Sequence, residues 1–307
     1  MGEAVQIPFL DISREEGSEG WKALCTKVRE ICEMHGCFLI KYDKVPKSLH
    51  EDMSMAMKTL FDLPEETKKK YKDPRPYNSY ENNYPKAPLL ECFGIDDATM
   101  LDSAQAFTNL LWPEGNPNFS GVFNSMNSKM LELSFINLKM ILEGFSMGKY
   151  YDMYAENSRS SCRVMKYNVP PSNDSATGLL GHTDKSFLTI LYQNEVHGLE
   201  VLSKEGNWIQ VVVPEGSFVV LVGDVLKAWS NGRLHAAKHR VVMSGNKERY
   251  SCGLFLVPKD ELKIEVPREL VDKERPLKYR PFTYPEFLSY YFANMTSDDA
   301  LETYAGA

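Results

Sequence analysis

The sequence predicts a mixed α+β protein, mainly β in its second half. Helices come first, an all-β core follows, and a C-terminal helical segment packs back on that core. Three observations carry this. Up to about residue 150, apolar residues recur mostly at helical spacing. From about residue 160, short runs rich in β-branched residues alternate with turn signals, a pattern of sandwiches and barrels rather than parallel α/β sheets. Beyond Pro258 the pattern turns irregular and then helical from Pro285 to Asn294.

Each element has its own signal. Residues 7–12 read as an opening strand. Trp21, Leu24, Cys25, Val28, Ile31 and Cys32 share one helical face, and Gly36 supplies the stop. Residues 37–41 form a short apolar strand ahead of a turn at Pro46. Ser48 and Glu51 match a capping box for a helix whose stripe is Leu49, Met53, Met57, Leu60 and Phe61; core packing explains that methionine-rich stripe better than a cofactor box. Pro64-Glu65-Glu66 starts a third helix with Lys68, Lys69 and Lys70 near its end, which suits the macrodipole and makes the lysines a solvated face. Residues 73–118, rich in Pro, Asn and Tyr, predict a long irregular segment able to reach over a site. A long helix over 119–147 buries Leu131, Phe135, Leu138, Leu142 and Phe145. Strands are then expected at 162–169, 187–192, 198–202, 208–213, 217–222, 237–243 and 250–257. The expected organisation is one globular unit: an N-terminal, substrate-side region over 1–155, a core over 156–260 and a C-terminal segment over 261–307.

Composition narrows the class. With 307 residues, 43% hydrophobic and 25% charged, the chain suits a globular protein with a sizeable core. A net charge of −7 argues against a nucleic-acid partner. No secretory signal or membrane-spanning run is expected, since the most apolar stretch, 218–226, is broken by Gly223 and Asp224. Six cysteines without C-x-x-C spacing read as buried thiols in a reducing, cytoplasmic compartment. No pattern suggests an obligate interface, so a monomer is expected.

The chemistry concentrates in Gly181-His182-Thr183-Asp184 and in Lys238-His239-Arg240-Val241, followed by Arg249-Tyr250-Ser251. Two imidazoles and one carboxylate can hold one face of Fe(II) and leave the other open to small ligands and dioxygen. In extended chain, residues i and i+2 point to one side, so His182 and Asp184 share a face, as do Arg249 and Ser251, and Met165 and Tyr167. Arg249 with Ser251 makes a carboxylate receptor, and Tyr167 can add a hydroxyl. A lone histidine is more often structural than ligating, and His-x-Asp alone is weak. The conjunction of three motifs in strand context is what gives the signal. His235 competes with His239 for the third place, but an Asn-Gly turn puts it in a loop, so His239 is preferred.

These residues, with Phe187-Leu188-Thr189-Ile190-Leu191, Gly198-Leu199-Glu200-Val201, Trp208, Gly223-Asp224 and Trp229-Ser230-Asn231-Gly232-Arg233, resemble the plant 2-oxoglutarate/Fe(II)-dependent dioxygenases. The likeness extends upstream to Ile7-Pro8 and Gly36-Cys37-Phe38, and so covers nearly the whole chain. The stretches around His182 and His239 are similar to the branch with glucosinolate side-chain-modifying dioxygenases and steroidal-glycoalkaloid hydroxylases. The resemblance implies a double-stranded β-helix (jelly-roll) core flanked by helices, with His182, Asp184 and His239 as both metal ligands and catalytic centre. It places Arg249, Ser251 and Tyr167 on 2-oxoglutarate, and implies ascorbate as reductant. The implied reaction consumes dioxygen, releases succinate and CO₂, and most often hydroxylates a small specialised metabolite, such as a steroidal alkaloid or glucosinolate-like compound. Met165 stands where many relatives have Asn, which removes one polar contact to the co-substrate. Tyr42-Asp43-Lys44 replaces the usual Asn-His-Gly and touches only local structure.

For the substrate pocket the expectation is Tyr77, Tyr80, Phe93 and Phe107 from the irregular segment, Lys185 and Phe187 beside the metal motif, then Phe255 and Phe292. Such an aromatic lining would suit an apolar or polycyclic metabolite, and core packing is the alternative for each. Two rivals stand beside the main reading: an iron oxidase that does not use 2-oxoglutarate, and a non-catalytic ligand-binding protein on the same fold.

Overall fold

A computed structural model describes residues 6–12, 16–75, 78–84, 87–171, 174–294 and 299–307. In chain order the elements are β1 (Phe9–Asp11), α1 (Glu19–Met34), β2 (Cys37–Lys41), α2 (Lys47–Phe61), α3 (Glu65–Lys68), β3 (Tyr80–Tyr84), β4 (Ala87–Asp96), α4 (Leu101–Leu111), α5 (Pro117–Gly144) and α6 (Tyr151–Glu156). The β-rich half adds β5 (Ser158–Tyr167), β6 (Ala176–His182), β7 (Leu188–Gln193), β8 (Leu199–Leu202), β9 (Trp208–Gln210), β10 (Ser217–Val222), α7 (Asp224–Trp229), β11 (His239–Met243) and β12 (Arg249–Pro258). Two short strands, β13 (Lys263–Ile264) and β14 (Phe282–Thr283), precede α8 (Tyr284–Ala293) and α9 (Ala300–Ala305).

Two sheets make the jelly-roll. The larger runs β1-β2-β10-β7-β12-β5-β4-β3 and the smaller β6-β11-β8-β9. Strand alternation sorts side chains between two cores. On one face of the large sheet, Phe38, Ile40, Phe93, Val164, Ile190 and Leu254 pack against the helices. On the other, Leu39, Cys92, Met165, Tyr167, Leu191 and Val219 meet Leu199, Val201, Val241 and Met243 of the small sheet. The helical side is anchored by α5, whose Pro at its first turn and Asn116 cap, accepting from Phe119 N–H at 3.0 Å, set its start.

The structure departs from the expected elements in four places. Residues 73–118 are not one irregular stretch: β3 and β4 extend the large sheet beside β5, and α4 follows. Polar and aromatic residues in β3 and β4 hide the alternation, because Glu91 is buried in an ion pair with Lys68. Lys68 is therefore not part of a solvated face: its ammonium reaches Glu91 and Phe61 O. The helix at 47 begins one residue before Ser48, with Pro46 as N-cap and no side-chain cap bond, so Ser48 and Glu51 form no capping box. Strand β6 was hidden because its exposed face carries Leu180 and two of its covered positions are glycines, Gly178 and Gly181. All six cysteines are buried and none is in a disulfide, as their apolar setting predicts.

Candidate active site

The site lies inside the roll where the two sheets face each other. β6 delivers His182, the turn after it delivers Asp184, and β11 delivers His239, directly paired with His182 across the small sheet. The two imidazole centroids stand 4.3 Å apart. Asp184 Oδ1 is 3.7 Å from Nε2 of His182 and 3.7 Å from Nε2 of His239. The ligand-type atoms of the three residues all lie within 4.8 Å of one another. His235 does not join them; its main-chain N–H is bonded to Cys32 O.

Local hydrogen bonds set the direction of each ligand atom. His182 Nδ1 lies 2.9 Å from Leu180 O, and His239 Nδ1 lies 3.0 Å from Ala237 O. A carbonyl can only accept, so Nδ1 carries the proton in both rings and each Nε2 turns a lone pair towards Asp184. Desolvation and the neighbouring His239 ring push His182 down to about 4, which keeps it neutral. Burial alone would raise the Asp184 carboxyl; the neighbouring imidazoles, the Thr189 hydroxyl and the Lys185 ammonium together hold it below its ordinary value. The set is thus two imidazole nitrogens and one carboxylate oxygen, which fits Fe(II).

Deeper in the roll, Arg249 is fully buried. Its Nη1 donates to Ser251 Oγ at 3.1 Å and its Nη2 to Gln193 Oε1 at 2.9 Å, and its guanidinium stands 5.1 Å from the centre of the Tyr167 ring. Its Nε has no hydrogen-bond partner among the described residues. A buried guanidinium whose hydrogen-bond partners among the described residues are neutral suits an anion, and a dicarboxylic co-substrate supplies one. The backbone is shaped for this. A Cβ on Gly178 would come within 2.8 Å of the Tyr167 ring, and one on Gly198 within 3.4 Å of Arg249. Gln193 was missed in the sequence; its link to Arg249 joins β7 to β12 and leaves no local signal.

The expected pocket residues divide. Tyr80, Phe93 and Phe107 are not at the site: they form one aromatic cluster on the helix side of the large sheet, with the rings of Tyr80 and Phe93 4.8 Å apart and those of Phe93 and Phe107 5.5 Å apart. Phe187 is also buried there, edge-on to Tyr154. These aromatics were assigned by composition, whereas strand parity turns Tyr80 and Phe93 to the helix side, Phe107 belongs to α4 and Phe187 lies in the turn before β7. Lys185 spends its ammonium on Asp224 Oδ2 at 2.6 Å and on Thr183, and lies 4.6 Å from the centre of the Tyr291 ring of α8. Phe292 is half-buried at the end of the same helix. Tyr77 lies outside the described residues. Phe255 does share the face of Ser251, opposite Ser161 and Thr189. With Ser161 and Arg163 it is half-buried, while their outer-face neighbours Cys162, Val164 and Leu254 are fully buried. At this end the inner face of the sheet is more open than the face packed on the helices.

A jelly-roll with two histidines and one carboxylate converging inside it defines a non-haem iron oxygenase site. Residues 159–258 match the 2OG-Fe(II) oxygenase superfamily, and residues 7–114 match the N-terminal model described as that of a non-haem dioxygenase in morphine synthesis. The chain is 38% identical to "Probable 2-oxoglutarate-dependent dioxygenase AOP1.2" of Arabidopsis thaliana, over 98% of this chain and 96% of that one. Among solved structures, the rice dioxygenase for auxin oxidation superposes with a TM-score of 0.85 at 32% identity, covering 98% of this chain and 100% of that one. The Arabidopsis thaliana dioxygenase for auxin oxidation 1, in its 2-oxoglutarate complex, gives 0.81 at 29% identity over 88% and 100%. The chain belongs to the plant 2-oxoglutarate/Fe(II)-dependent dioxygenases, in the branch of the AOP enzymes that its motif wording indicates. It is an oxidoreductase whose cofactors are Fe(II) and 2-oxoglutarate and whose substrate is a small metabolite. Among the described residues no helix is long and apolar enough to cross a membrane.

Proposed function

We propose that this protein hydroxylates a small plant specialised metabolite, with His182, Asp184 and His239 holding the iron and Arg249, Ser251 and Tyr167 receiving the distal carboxylate of 2-oxoglutarate. The observation that carries the reading is the convergence of both Nε2 atoms on one Asp184 oxygen, with a buried guanidinium deeper in the same roll. When bound, iron with 2-oxoglutarate supplies dioxygen activation coupled to decarboxylation. The chain's own part is positioning. Two carbonyls fix the imidazole tautomers, Gln193 and Ser251 aim the Arg249 fork, and the apolar walls of the roll exclude water from the reacting carbon. The metabolite would enter at the open inner face beside Phe255, Ser161 and Arg163, with the C-terminal helix α8 close by through Tyr291 and Lys185. A steroidal alkaloid or glucosinolate-like compound fits the branch, ascorbate would keep the iron reduced, and a cytoplasmic monomer would suffice.

The test is a screen of plant metabolite extracts with the purified protein, Fe(II), 2-oxoglutarate and ascorbate. The expected result is a product heavier by one oxygen, formed with an equal amount of succinate. Product without succinate would favour an oxidase that does not use 2-oxoglutarate, and would overturn the reading.

A further inference from the structure

Asp184 has two oxygens and the structure uses them differently. Oδ1 faces both histidines. Oδ2 accepts a 2.6 Å hydrogen bond from Thr189 Oγ1. Thr189, on β7, is buried, and its oxygen lies 3.2 Å from Ser186 Oγ. A hydroxyl has one proton to give. Since Thr189 gives its proton to a carboxylate, Ser186 must donate to Thr189, so the chain runs Ser186 to Thr189 to Asp184. The backbone around it is pinned from the other side. Asp184 O accepts from Asp224 N–H at 2.8 Å, and Ser186 O accepts from Val225 N–H at 3.2 Å. The carboxylate plane is therefore fixed at both its side chain and its main chain.

A carboxylate can bind a metal through one oxygen or two. If Asp184 gave both, it would take a position that the co-substrates of this chemistry need. We propose that Thr189 is a positioning residue that holds Asp184 as a one-oxygen ligand and so keeps a coordination position open for 2-oxoglutarate and dioxygen. The inference rests on the metal-site reading above and adds a residue to it. Thr189 touches no reacting atom; it acts through Asp184. Its β-branched shape would equally suit a strand interior, so the hydroxyl and the shape must be separated.

Thr189→Val keeps the shape and removes the hydroxyl, and Thr189→Ser does the reverse. The measurements are the visible absorption of the Co(II)-substituted protein, which reports coordination number, and 2-oxoglutarate affinity by titration calorimetry on that form. For Thr189→Val we expect an altered Co(II) spectrum and 2-oxoglutarate binding weakened about tenfold, the lower end for loss of a group that orients a ligand. Thr189→Ser should match the wild type in both. Thr189→Ala is read in the same way should the valine variant not fold, and failure of both to fold would mark a packing role and overturn the proposal. So would a Thr189→Val spectrum and affinity equal to wild type, or an equal loss in Thr189→Ser. Wild-type protein that binds no Co(II) at all would instead sink the metal site itself.

Discussion

His182 and His239 each lie within hydrogen-bond reach of the main-chain carbonyl two residues earlier, so the strand backbone itself chooses the tautomer that leaves Nε2 for a metal. The same economy governs the buried arginine. Gln193 Oε1 accepts from Arg249 Nη2, and Ser251 Oγ accepts from Nη1, which aims the guanidinium without neutralising it. Burial pulls the Arg249 guanidinium below its ordinary value, so the site gains from an anionic ligand. Replacing Gln193 by Leu removes one hydrogen bond to a charged group, worth about 1.5–3 kcal/mol. The expected outcome is a KM for 2-oxoglutarate raised by about tenfold or more with kcat largely kept, read from initial-rate succinate assays. An unchanged KM would remove Gln193 from the site.

Among the elements, the least expected is the β3–β4 pair, which turns what reads as a loop into the edge of the large sheet. Its tie to the helical layer is ionic. The Lys68 ammonium at the end of α3 reaches Glu91 of β4, both side chains are buried, and Tyr80 Oη donates to the same carboxylate at 2.7 Å. Breaking one half of a buried pair leaves the other charge stranded, at a cost of about 3–5 kcal/mol. Lys68→Met should therefore lower stability by that order in a urea melt, while Lys68→Met combined with Glu91→Leu should recover much of it. A surface lysine, as the run Lys68-Lys69-Lys70 suggests, would give almost no change.

For the whole molecule, the two sheets and the helical layer meet so that ligands from β6, its following turn and β11 arrive at one point, with β12 supplying the arginine behind. Binding that requires this assembled geometry stabilises the fold by mass action. A divalent metal at a hundred times its Kd should contribute about 2.7 kcal/mol, visible as a raised Tm that EDTA reverses and that His239→Ala lacks. A Tm indifferent to Mn(II) in the wild type would contradict the site. The sequence by itself determined the reaction class and picked out the three residues that converge, because His-x-Asp, the distant His and Arg-x-Ser are local patterns whose strand parity is written in their spacing. It also determined the order of helices, β core and C-terminal helix, because hydrophobic period is a local property. It misplaced Tyr80, Phe93, Phe107 and Phe187, since composition does not say which side of a sheet a side chain takes; the pairing of β3, β4 and β5 decides that for Tyr80 and Phe93, and the packing of α4 and of the turn before β7 decides it for Phe107 and Phe187. Thr189 and Gln193 became site residues for the same reason. Their neighbours Asp184 and Arg249 are brought to them by folding, and a hydrogen bond between residues on different elements has no period to read.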